Sequence, residues 1–153
     1  MIDVPTTTLT TERLTAVVRH TIPRADIQKV MGPAIAAVIA AVTAQGIGPV
    51  GPVYARHFRM DPAVFDFEVG VSVSAQVKPT GPVVASTLPS VKVVRTIYRG
   101  PYEGLATAWS EFDKWISAHR LLVTGESWEY YAKGPESGPD ATAWETELVR
   151  PLR

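Results

Sequence analysis

The sequence predicts an α+β fold: two pseudo-symmetric strand–helix–strand–strand modules that form one curved antiparallel sheet, with the helices packed on it and a ligand groove between the modules. Three observations carry this. Residues 65–75 alternate, with Phe65, Phe67, Val69, Val71 and Val73 on one face and Asp66, Glu68, Gly70 and Ser72 on the other, the period of a half-buried strand. Two segments with helical spacing of apolar residues each open on a Gly-Pro pair, Gly32-Pro33 and Gly100-Pro101. The order strand, helix, strand, strand then occurs twice, with turn glycines Gly51 and Gly125 in matching places.

The elements follow in chain order. Residues 1–12 are a polar, Thr-rich lead-in, and 14–20 (Leu-Thr-Ala-Val-Val-Arg-His) form a β-rich run. Residues 21–31 read as a loop with one helical turn. A helix then begins at Pro33, since a first helical position has no N–H partner to lose. Ile35, Val38, Ile39 and Val42 supply its apolar face, and Gly46 its stop. Gly48-Pro49-Val50-Gly51-Pro52 breaks the chain before a strand over 53–60, and Asp61-Pro62 turns into the alternating strand 65–75. A Pro/Gly linker at 78–82 separates the modules, about 13–77 and 88–152, within one domain spanning 13–152. The second module reads as a strand over 91–98, a helix from Pro101 to near His119, and strands over 127–133 and 144–149. Leu105, Trp109, Phe112 and Ile116 line that helix at spacings of 4, 3 and 4.

Composition narrows the function. The chain has 153 residues, 46% hydrophobic and 20% charged, an ordinary globular balance. Fifteen Lys and Arg face fifteen Asp and Glu, so the basic stripe of a nucleic-acid binder is missing and direct nucleic-acid binding is not expected. With no cysteine, disulfides, thiolate metal sites and Cys nucleophiles are excluded. The three histidines (His20, His57, His119) are scattered with no metal-ligand spacing, and no metal or cofactor is expected. Residues 1–11 lack a signal-peptide layout, and 32–44 are too short to span a bilayer; a cytoplasmic protein without membrane contact is the expectation.

Tyr98-Arg99-Gly100-Pro101-Tyr102-Glu103-Gly104-Leu105 followed by Ala108-Trp109, Trp128-Glu129-Tyr130-Tyr131, and Trp144-Glu145-Thr146-Glu147-Leu148 before Pro151 together resemble the GyrI-like (AraC effector-binding) family. Gly51 to Arg56 and Phe65 to Val73 resemble the matching pieces of the first module. The resemblance covers residues 13–152. It implies the two-module fold with its groove, and binding of amphipathic, often cationic, aromatic small molecules. Its members occur fused to helix-turn-helix domains or free-standing, and this chain resembles the free-standing kind. Some free-standing relatives hydrolyse cyclopropane-bearing antibiotics, and others act on gyrase or simply bind.

Glu129 is the leading candidate site residue. The residues alone leave two readings: a solvated or Arg-paired strand carboxylate, or a partly desolvated one facing an apolar groove. The resemblance favours the second, with Glu129 as counter-charge to a cationic ligand. Tyr131 shares the face of Glu129, while Trp128 points the other way into the core. Tyr54 and Phe58 share a face of the corresponding first-module strand, and Tyr98, Tyr102 and Trp144 sit at the ends of second-module elements. These aromatics are candidate groove walls, because ring faces stack on flat ligands and attract cations. Trp109, Phe112 and Trp115 read as core. Glu68 and Glu147 are candidate second carboxylates for acid/base work, although a solvated or ion-paired role is the simpler one. The leading expectation is a monomeric or weakly dimeric binder of hydrophobic, planar, cationic compounds. The alternatives are a hydrolase of electrophilic xenobiotics in the same groove, with Glu129 as its catalytic residue, and a protein modulator of a topoisomerase or transcription factor.

Overall fold

The computed structural model describes residues 2–59 and 61–153. Its strands are β1 (Thr6–Leu9), β2 (Arg13–Pro23), β3 (Tyr54–His57), β4 (Val64–Ser72), β5 (Val84–Leu88), β6 (Lys92–Arg99), β7 (Ser127–Lys133) and β8 (Glu145–Pro151). The helices are α1 (Ile27–Ala44) and α2 (Leu105–Ala118). All strands join one sheet in the order β1-β6-β8-β7-β3-β4-β2-β5, and every pairing is antiparallel.

The two expected modules are present as β2–α1–β3–β4 and β6–α2–β7–β8. Within the sheet they run β3-β4-β2 and β7-β8-β6, and they meet where β3 pairs with β7. Two short strands fall outside this pattern and were not expected. β1 leads into the first module yet pairs with β6 of the second, and β5 leads into the second yet pairs with β2 of the first. Each module's outer strand, β6 or β2, is therefore covered by the segment that introduces the other module, and the sheet's two open edges pass to the short strands β1 and β5. β1 is exposed along its length and β5 buries only Leu88 in the core, so neither carries the apolar alternation that reveals a strand.

Both helices lie on one face of the sheet. Beneath α1, Ala34, Val38, Ala41 and Val42 pack on Ala16, Val18, Phe67, Val69 and Val71. Beneath α2, Ala108, Phe112 and Ile116 pack on Val94, Tyr98 and Leu148. The opposite face has its own cluster of Val17, Tyr54, Leu88, Val93, Trp128 and Val149.

The expected start of α1 at Pro33 is corrected. β2 continues to Pro23, and a 3-10 turn at Arg24–Asp26 runs directly into the helix at Ile27, leaving Pro33 inside it. Proline there costs the hydrogen bond to the Lys29 carbonyl. Gly32 and Pro33 are both exposed, so that stretch of helix faces water rather than the core. From Arg24 to Ala44 the segment is long and apolar enough to cross a membrane by length and composition, which corrects the estimate made on 32–44 alone. Here its inner stripe is covered by the sheet. The strand expected over 53–60 is shorter, and Met60 lies outside the described residues.

Candidate functional site

Each helix covers the outer strands of its own module, α1 over β2 and β4 and α2 over β6. The central pair β3–β7 is left between them, and a groove of about 790 Å³ opens there. Alternate residues of the two strands make its floor: His57 of β3, and Ser127, Glu129 and Tyr131 of β7. Ile27 and Met31 of α1, with Phe65 of β4, form one apolar wall. Leu105 and Trp109 of α2 form the other. The groove lies at the junction between modules, where it was expected.

Glu129 stands at its centre, partly buried, with both oxygens engaged. Oε1 accepts the Tyr131 hydroxyl at 2.7 Å, and Oε2 accepts the indole N–H of Trp109 at 2.7 Å. Two neutral donors orient this carboxylate without cancelling its charge. Burial, and then the adjacent Glu129, hold the Tyr131 phenol well above its ordinary value, so it remains a donor. Burial lowers the His57 imidazole below its usual range and Arg24 adds to this, against the opposing pull of Glu129. His57 therefore tends to the neutral form, its ring stacked on Phe67 at 5.2 Å.

Charged side chains also surround the opening. Arg24 and Arg59 lie towards α1, and Lys114 and Asp113 on α2. Asp113 is paired with the buried Arg150, Oδ1 to Nη1 at 2.9 Å. Arg24 spreads its guanidinium over Phe65, 4.3 Å from the ring centre, and donates to the Asp61 carbonyl. Among the described residues no group of three or more His, Cys, Asp or Glu is placed to hold a metal ion.

Of the residues singled out from the sequence, the groove contains Glu129 and Tyr131. Tyr102 and Trp144 stand behind Tyr131 in an aromatic row, Tyr102 being 5.9 Å from Tyr131 and 5.1 Å from Trp144. They support the floor without lining it. The expectation that Tyr54 and Phe58 are walls is corrected. Tyr54 is opposite Tyr130 and its neighbour Ala55 opposite Glu129, so Tyr54 points to the far face, where it is buried. Phe58 lies between the guanidinium groups of Arg19 and Arg56. Tyr98 is core beneath α2, its hydroxyl donating to the Pro101 carbonyl at 2.8 Å. Glu68 and Glu147 do not approach Glu129 either. Glu68 aligns with Arg56, and Glu147 with Tyr130, all on the far face. Glu147 is ion-paired with Arg95, and Glu68 is buried.

Trp109 was read as core; it does pack on the cluster beneath α2, and it also forms a groove wall and hydrogen-bonds Glu129. A signal for this was available: a half-covered tryptophan needs an acceptor for its N–H, and a strand carboxylate is a natural one. His57, Phe65 and the three cations of the opening were also missed: His57 and Arg24 meet Phe65 within the first module through contacts between strands distant in sequence, and Lys114 faces them only across the docked modules.

An α+β sheet of two modules with a ligand-sized groove at their junction defines a small-molecule-binding domain. The match of residues 7–153 to the GyrI-like small molecule binding domain places the chain in that family. No curated protein matches the sequence. Among solved structures, the EcmrR C-terminal domain superposes with a TM-score of 0.83 at 20% identity, over 97% of this chain and 96% of that one. EcmrR in its DNA complex superposes with a TM-score of 0.81 at 19% identity over 99% of this chain, which spans 57% of EcmrR. SAV2435 bound to tetraphenylphosphonium superposes with a TM-score of 0.66 at 10% identity, over 99% and 94%.

Proposed function

We propose that the protein binds hydrophobic, flat, cationic aromatic molecules in the β3–β7 groove, with Glu129 as their counter-charge, and so senses or sequesters such compounds. One observation carries the reading: a half-buried carboxylate, fixed by the Trp109 and Tyr131 donors, at the floor of a groove whose walls are aliphatic and aromatic. Apolar walls supply area-dependent affinity, and a single oriented charge supplies selectivity. The family is one of small-molecule binders, and the fold is shared with a protein solved with an organic cation, tetraphenylphosphonium. The test is fluorescence anisotropy of the cationic ester dye rhodamine 123 titrated with the protein, with unlabelled tetraphenylphosphonium as competitor. Saturable, competed binding supports the reading, and a flat titration rejects it.

Turnover in the same groove is a second reading, favoured by the 2.7 Å contact between Glu129 and the Tyr131 hydroxyl. A carboxylate that activates water beside a phenol that donates a proton is an acid/base pair. It requires that a cyclopropane-bearing alkylator be consumed faster by the wild-type protein than by Glu129→Gln.

A further inference from the structure

We propose that the groove prefers amphoteric aromatics: ligands whose flat cationic ring system also carries an acidic substituent. This rests on the reading that a cation lies against Glu129, and it adds a second charge requirement at the opening. Arg24, Arg59 and Lys114 line that opening, and all three are exposed, whereas Glu129 on the floor is partly buried. The site is therefore negative at its base and positive at its mouth.

The state of each carboxylate near the mouth decides how much positive charge is left. Asp113 is held by Arg150. Asp66 is shared, 2.9 Å from Arg19 and a looser 3.5 Å from Arg59. The Asp61 carboxylate accepts the backbone N–H groups of Ala63 and Val64, and its charge faces both Arg24 and Arg59. Arg24 makes its own hydrogen bond to a neutral carbonyl. Lys114, on the opposite wall, has no ion pair or hydrogen bond among the described residues. A ligand with positive charge alone meets repulsion at this mouth, while a carboxylate on the same ring system gains a guanidinium and an ammonium as donors.

The probes are rhodamine 110, which carries a free carboxylate, and rhodamine 123, its methyl ester, otherwise the same dye. Anisotropy titrations use the full chain as wild type, Lys114→Gln and the Arg24→Gln/Lys114→Gln double variant, each first checked by a thermal melt. Exposed charges contribute modestly one by one, so the acid is expected to bind roughly tenfold tighter than the ester. That preference is expected to shrink in Lys114→Gln, to nearly vanish in the double variant, and to fall in high salt. Should the double variant melt early, the single variant carries the test. An ester bound as tightly as the acid, or tighter, overturns the inference and leaves the binding function standing. Binding of neither dye overturns both.

Discussion

Glu129 and Glu68 are chemically dressed alike and physically opposed. Each accepts a tyrosine hydroxyl, from Tyr131 at 2.7 Å and from Tyr54 at 3.1 Å. Each accepts a second neutral donor, the Trp109 indole for Glu129 and the Ser86 hydroxyl at 3.0 Å for Glu68. Neither has a cation within ion-pair distance among the described residues. They differ in what lies beyond the donors. Glu129 faces an open groove, whereas Glu68 is closed in on the far face at 3% exposure. Burial pushes the Glu68 carboxyl above the usual carboxylate range, and its hydrogen bonds only partly oppose this. Hydrogen-bond partners therefore do not distinguish the groove-facing carboxylate from the enclosed one. Room for a counter-ion does.

This contrast can be broken in three ways, taken from the largest effect down. Glu129→Gln keeps the shape of the floor and removes its charge. Affinity for rhodamine 123 is expected to fall by about ten- to a hundredfold, the loss of one partly desolvated charge contact. Trp109→Phe keeps an aromatic wall but removes the N–H and part of the ring area, which leaves one carboxylate oxygen of Glu129 without its donor. A loss of roughly threefold is expected, read by the same titration. Glu68→Gln is expected to leave affinity unchanged and to alter stability. Because the folded-state value of Glu68 is raised, the unfolded chain loses this proton first. The carboxyl's favourable contribution is thus complete below the ordinary Glu value and is lost as pH rises through the folded one. Glu68→Gln removes that dependence, so it should melt a few degrees above wild type at pH 8, with the gap narrowing towards pH 4. Thermal melts across that range check the sign.

The second-module motifs were the most legible part of the chain, and the structure gives their physical reason. The Tyr98 ring lies against the start of α2, where a Cβ on Gly100 or Gly104 would come within 2.7 or 2.0 Å of its hydroxyl. Gly100 also adopts φ +146°, a conformation open to glycine. The spacing from Tyr98 to Gly104 therefore encodes how the helix is seated, not which ligand is bound. Period-2 alternation was equally informative within a strand. It put Glu129 and Tyr131 together and sent Trp128 to the core, where Trp128 is fully buried. It carried no information between strands. Which face of β3 looks into the groove depends on the Ala55–Glu129 register, a product of module docking, and Tyr54 was misplaced for that reason. The start of α1 was hidden by Pro33, a residue that usually opens helices, and β1 and β5 by having too little apolar surface to show a period.

The central claim is that the groove-facing carboxylate recognises the ligand and its enclosed counterpart does not. Its most direct test is one anisotropy experiment, in which rhodamine 123 is titrated in parallel with wild type, Glu129→Gln and Glu68→Gln at pH 7. The account predicts wild-type binding on the order of micromolar, an unchanged curve for Glu68→Gln, and at least about a tenfold weaker one for Glu129→Gln. A Glu129→Gln curve that overlays wild type, or an equal loss in both variants, would contradict it.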